Sequence, residues 1–192
     1  IFLVQKVSKG LLVGRSIEKM GCRASPTSEV SFENCFVPQE FRLGEEGAGE
    51  KELRKILSEI RIMTGALAVG VAEAALEASL RYSRERIQFE RPINSFQAIQ
   101  MKLAEMATQL EASRLLVFHT AREKDLGRPV HKTSAMAKFF ASERAVEICD
   151  QATRIFGSYG FAMEYPVQRY FRDIRFTLYG GGTSEILQTI IA

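Results

Sequence analysis

Three stretches of this sequence bring together residue types that could do chemistry. The run RERIQFERPINSFQAIQ, Arg84 to Gln100, closes one helical segment on arginines, turns at Pro92 and opens the next helix with Phe96 and Gln97. Guanidinium groups bind phosphate bidentately and helix N-termini attract anions, so Arg86 or Arg91 could reach a pyrophosphate; a solvated arginine cluster at a turn is the plainer reading. RIFGSYGF, Arg154 to Phe161, supplies Gly157 and Gly160 at a helix end, which a left-handed cap explains without any ligand. LYGGGTSEI, Leu178 to Ile186, sets consecutive glycines ahead of Thr183 and Ser184, either of which could cap the last helix. Glycines free backbone amides to face an anion or a carbonyl, and here a ligand-facing loop and a flexible hinge stand as alternatives. His119 and His131 have no triad partner nearby and read as surface or cap histidines.

The elements that must position these residues use two grammars. Up to about residue 42 the chain reads as antiparallel strands: IFLVQKV, GLLVGRSI and SEVSFENCFVP, broken by Asn and Pro. GEEGAGE, Gly44 to Glu50, is an acidic, glycine-rich connector, and helical periodicity follows it. A first helix over about Leu53 to Arg86 carries GALAVGVAEAALEAS, whose small residues would let another helix approach closely. From Ser95, an expected N-cap, Phe96, Ile99, Leu103, Met106, Leu110 and Val117 follow a bundle seam that Gly127 and Pro129 end. A third helix, about Lys132 to Phe156, is expected to bury Met136, Phe140, Ala145, Cys149, Ala152 and Phe156 on one stripe, and short helices are expected at about Pro166 to Arg172 and Ser184 to Ile191. The fold class is mainly α: a helical bundle preceded by a short, partial antiparallel β segment.

With 192 residues, 46% hydrophobic and 26% charged, the chain can bury a substantial core. Its three cysteines are odd in number and far apart, with no metal-ligand spacing, so a reducing compartment is expected: cytoplasm, or the mitochondrial matrix in a eukaryote. A net charge of +3, with both signs mixed, gives no footprint for nucleic acid, and no signal peptide or membrane span is expected. The chain starts without Met, already in strand-like sequence, and is expected to be a piece of something longer.

KMGCRASPTSEVSFENCFVP, RYSRERIQFERPINSFQAIQMKLAEMAT and EYPVQRYFRDIRF with GGTSEI together resemble, in order and across nearly the whole chain, the acyl-CoA dehydrogenase family. These are flavoenzymes with an N-terminal helical domain, a middle β domain and a C-terminal four-helix bundle. The resemblance implies that residues 1–42 are the C-terminal part of the β domain and 43–192 the helical domain. The strands that embrace the flavin ring would be missing, so these residues alone would hold flavin poorly and be inactive. It implies FAD contacts from Arg86, Phe89, Phe96 and Gln97, with Arg86 reaching the pyrophosphate of a neighbouring subunit. RIFGS would meet FAD through Arg154 and Gly157, although the family usually has Gln at position 154 and Gly at 158. Thr183 and Glu185 match positions that touch the adenosine half, and Glu90 replaces a turn glycine. An acyl-CoA substrate, an electron-transferring flavoprotein as oxidant, and homodimers or homotetramers are implied in the same way.

The family's reaction removes an α-proton from the thioester with a carboxylate while the β-hydrogen leaves as hydride. That carboxylate is usually the residue at position 181, here Gly181, whose backbone N–H would still bind the thioester carbonyl. Some members carry it on the first bundle helix just before an arginine; matching that arginine to Arg61 puts the site at Ile60, which cannot ionise. Glu59 is one residue away, about 100° round the helix, and stands as an alternative base. Otherwise the base lies outside these residues, or no proton is abstracted at all, as in an oxygenase, an oxidase or a silent assembly subunit. Arg61 is expected near the thioester or in a buried salt bridge.

Overall fold

The computed structural model describes residues 1–192 and divides into two compact units, Ile1–Ile56 and Leu57–Ala192. The change of sequence character near residue 42 falls at a short 3-10 turn, Gln39–Phe41, and the first long helix, α1, spans Gly49–Glu85.

In the first unit β1 (Leu11–Ser16) pairs antiparallel with β2 (Ser28–Phe32), Leu11 opposite Phe32 and Val13 opposite Val30, with a shift of register between Val13 and Ser16. Gly10, at φ +85, sits where a Cβ would lie 2.2 Å from the Glu33 carbonyl oxygen, so only glycine lets the arms close there. The expected strand at Ile1–Val7 is reduced to a single bridge, Phe2 to Arg42, and Cys35–Val37 forms none. A strand needs a partner ladder along its length, and neither segment has one. Val7 and Phe36 are accordingly left 87% and 81% exposed.

In the second unit the remainder of α1 accompanies α2 (Gln97–Asp125), α3 (His131–Phe156), α4 (Val167–Ile174) and α5 (Ser184–Ile191). A minimal hairpin, β3 (Ile87–Gln88) with β4 (Arg91–Pro92), links α1 to α2. The α2 seam reads as expected: Met106, Leu110 and Val117 are buried, and Phe96, Ile99 and Leu103 pack against the core. Ser95 does not cap α2; its hydroxyl donates to the Pro92 carbonyl inside a 3-10 turn, and Phe96 takes the cap position.

Small residues set the helix spacing. At Gly65 a Cβ would lie 3.0 Å from Val117 Cγ2 and 3.6 Å from the Ala137 carbonyl oxygen, so the glycine admits α2 and α3 close to α1. Buried Ser79, Ser113 and Thr120 return their hydroxyls to carbonyls one turn back, which removes the cost of burying them unpaired. One window of α1 reaches a mean hydropathy of 1.3, enough by composition to cross a membrane, yet Ala68, Ala72 and Ala75 in α1 are core residues. Of the expected α3 stripe, Ala145, Cys149, Ala152 and Phe156 are buried. Met136 and Phe140 are half-buried, and Ser134, Ala137, Lys138, Ala141 and Ser142 lie inside, because close helix approach selects small side chains over large ones.

Candidate active site

Two groupings hold the candidate residues. The first is the glycine loop between α4 and α5. Lys138 is fully buried, and its ammonium donates to the Leu178 carbonyl at 3.1 Å and the Gly182 carbonyl at 2.6 Å. Arg61, 4% exposed, donates from Nε to the Gly181 carbonyl at 3.2 Å. The Ser142 hydroxyl donates to the Thr177 carbonyl at 3.0 Å just upstream. The loop therefore turns its carbonyls onto two cations, and the Gly181 N–H donates to no protein acceptor. Gly181 and Gly182 have φ +75 and +114, which L side chains rarely adopt, so glycine suits this clamped path. These bonds tie the loop down, which speaks against the flexible hinge.

Neither cation has an ion-pair partner. Burial pulls Lys138 down to about 8, offset in part by Glu143 and Glu185, and pulls the Arg61 guanidinium below its usual value. Arg61 Nη1 is buried with no hydrogen-bond partner, so the salt bridge considered for Arg61 does not form. A Cβ at position 181 would meet Ile60 Cγ2 at 3.5 Å, Arg61 Cγ at 3.6 Å and Thr64 Oγ1 at 3.7 Å, all ordinary van der Waals contacts. Thr64 gives its hydroxyl to the Ile60 carbonyl at 2.8 Å. Glu59, half-exposed, pairs with Lys124 at 2.7 Å instead of joining this group. Thr183 caps α5 by accepting from the Ile186 N–H at 3.4 Å, and Ser184 bonds Glu143. Glu185, in the first turn of α5, is held below the usual carboxylate range by its own backbone N–H and the Thr183 hydroxyl.

The second grouping is a hollow of about 380 Å³ whose lining includes Arg86, Phe89, Phe96, Phe156, Gly157 and Tyr159. Arg86 lies over the Tyr159 ring at 5.6 Å, Phe89 meets Phe96 edge-on at 6.1 Å, and Arg91 covers Phe96 at 4.1 Å. Four of the sequence candidates, Arg86, Phe89, Phe96 and Gly157, are thus brought together. Gln97 is exposed and outside the lining; Arg154 is turned to Asp150 at 2.6 Å and also stays outside. The hairpin turn that carries Phe89 has positive φ at both Phe89 (+50) and Glu90 (+64), so the glycine replacement at Glu90 occupies a position that favours glycine.

A family model for the acyl-CoA dehydrogenase C-terminal domain matches residues 47–192. The chain belongs to the acyl-CoA dehydrogenase family. It is 63% identical over its whole length to benzylmalonyl-CoA dehydrogenase of Aromatoleum aromaticum and 44% identical to the mitochondrial short-chain specific acyl-CoA dehydrogenase of Rattus norvegicus, covering 51% and 46% of those proteins. Butyryl-CoA dehydrogenase from Megasphaera elsdenii superposes with a TM-score of 0.97 at 40% identity, over 99% of this chain and 50% of that one. The chain therefore spans about half the length of these acyl-CoA dehydrogenases and corresponds to a C-terminal part of the family fold.

Sequence reasoning missed Lys138, Ser142 and Thr64. The signal for Lys138 was its setting: a lone lysine between small residues, Ser134, Ala135, Ala137, Ala141 and Ser142, has no solvated face of its own. Tyr82 and Tyr159 also escaped notice in the second hollow, because a tyrosine in a helix reads as ordinary core.

Proposed function

We propose that this chain works as the C-terminal part of an FAD-dependent enzyme that oxidises an acyl-CoA thioester between its α and β carbons. The observation that carries the reading is the glycine loop, whose carbonyls are tied to Lys138 and Arg61 while the Gly181 N–H stays free. A fixed, unpaired amide is what a thioester carbonyl needs as it gains enolate character, and such a donor typically contributes about 3 kcal/mol.

The second hollow fits a flavin dinucleotide by the chemistry of its donors: a guanidinium for a pyrophosphate, aromatic walls for a planar ring, and a glycine at which a Cβ would meet nothing within 4 Å. Arg86, Phe89, Phe96 and Gly157 would hold it. Gln97 and Arg154 would have to reorient to contribute, and Thr183 and Glu185 would contact it away from this hollow. Bound FAD would supply the two-electron acceptor. An electron-transferring flavoprotein is the proposed oxidant, in a homodimeric or homotetrameric enzyme.

Glu59 is not supported as the base, since its carboxylate is engaged by Lys124. Residues 60 and 181 cannot ionise, so any protein base would come from elsewhere in the enzyme. The 63% identical relative is named for benzylmalonyl-CoA, and a branched acyl group of that kind is the proposed substrate. Anaerobic mixing of full-length holoenzyme with a panel of straight-chain and branched acyl-CoAs is expected to bleach the flavin with at least one of them; bleaching by none contradicts the reading. Glu59→Gln is expected to leave that bleaching intact.

A further inference from the structure

We propose that Tyr159 is the positioning residue for Arg86: its ring face holds the guanidinium at the second hollow with the N–H edges free for a diphosphate. The inference rests on the reading of that hollow as a dinucleotide site and names what sets its phosphate-binding group in place. Arg86 directly follows the end of α1, and its guanidinium lies 5.6 Å from the centre of the Tyr159 ring. Ring faces attract cations within about 6 Å. No ion pair engages Arg86. The contrast is Arg154, whose Nε meets Asp150 at 2.6 Å; a carboxylate occupies an N–H edge there and offsets the charge that a phosphate would seek. A ring face does neither. It steadies the cation and leaves the in-plane donors and the full charge to an incoming ligand.

Two features hold the ring there. At Gly160 a Cβ would fall 2.3 Å from the Thr153 carbonyl oxygen, so the 3-10 turn Gly157–Phe161 folds this tightly against the end of α3 only with glycine. Tyr159, the residue before it, packs on Tyr165 at 5.3 Å, and Tyr165 meets Phe156 edge-on at 5.6 Å. From the other side Tyr82, one helical turn before Arg86, stacks on Phe156 at 4.0 Å. One aromatic cluster thus joins the ends of α1 and α3, and Arg86 over Tyr159 is its outer edge. The Arg86 backbone is fixed as well: its N–H donates to the Tyr82 carbonyl at 2.9 Å, and its carbonyl accepts from the Ile93 N–H at 2.9 Å. An arginine held in this way gives up less rotamer freedom when it takes a ligand, which favours binding.

The full-length enzyme, freed of its flavin, would be titrated with ADP and with adenosine, which differ by the diphosphate. The ratio of the two affinities reads the phosphate contact alone. Arg86→Gln is expected to cut that ratio by roughly 30-fold. Tyr159→Leu is expected to cut it by roughly 3-fold or more, and Tyr159→Phe, which keeps the ring face, to preserve it. Tyr159 is 42% exposed, so the leucine leaves no core void. In the Arg86→Gln background Tyr159→Leu should change the ratio no further, because the group it positions is gone. An unchanged ratio in Tyr159→Leu, whether both affinities hold or both fall, overturns the proposal and leaves the dinucleotide reading standing, as does a further fall in the Arg86→Gln background. No binding of ADP, or an Arg86→Gln ratio equal to that of the wild type, overturns that reading and the proposal with it.

Discussion

At the scale of single residues, the glycine loop is defined by the two buried cations that its carbonyls meet. Glycine at position 181 adopts the left-handed backbone, φ +75, and gives its carbonyl to Arg61 Nε at 3.2 Å. Gly181→Glu is expected to cost about 1–2 kcal/mol of stability through the left-handed backbone at this position, measured by chemical denaturation; an unchanged midpoint would contradict the strained path. Lys138 gives a second test through pH. Its folded value, near 8, lies below the ordinary 10.5, so the unfolded chain binds more protons between those values. Stability contributed by this group therefore rises with pH from about 8 to 10.5 and is lowest below 8, by about 3 kcal/mol across the window. Comparing the melting temperature of wild type and Lys138→Met over that range should show the wild type gaining on the variant as pH rises; parallel curves would contradict the burial of a charged lysine. The glycine loop and Arg61, which the structure joins through the Gly181 carbonyl, were both singled out in the sequence. Lys138 was not, because a lysine carries no mark of burial until helix packing closes over it.

At the scale of elements, periodicity served α2 well, and in α3 it found Ala145, Cys149, Ala152 and Phe156 but not the first two turns. Large apolar residues at three-and-four spacing mark the buried face of α2 at Met106, Leu110 and Val117. Where helices approach closely, the buried face consists of Ala and Ser, and the large residues Met136 and Phe140 are displaced to its edges. The two-residue hairpin β3–β4 left almost no signal, since its turn uses Phe89 and Glu90 at positive φ where Asn and Gly are the usual signs. Glu90→Gly is expected to raise stability by about 1 kcal/mol by relieving that backbone, measured by chemical denaturation; a loss would show that Glu90 has a role of its own. Gly160→Ala should do the reverse. A Cβ there would fall 2.3 Å from the Thr153 carbonyl oxygen at the end of α3, so the last turn must shift, with a loss of about 2 kcal/mol or more.

At the scale of the whole molecule, the two units differ in how they use their apolar residues. Leu57–Ala192 closes a core running from Ala68 to Ile174, whereas Ile1–Ile56 leaves Val30, Phe32 and Phe36 more than half exposed. The strand-like grammar of residues 1–42 was readable, but strand existence depends on partners, and only β1 and β2 pair as strands. The 192-residue chain alone is expected to bind an apolar dye strongly, and a protein of the relatives' full length to bind it weakly; equal binding would mean that these side chains stay exposed in the longer protein. The reading of this chain as part of an FAD-dependent enzyme that oxidises an acyl-CoA is tested most directly by anaerobic mixing of full-length holoenzyme with a panel of straight-chain and branched acyl-CoAs while the flavin absorbance is followed. Bleaching by at least one of them is the predicted result, and bleaching by none would contradict the reading.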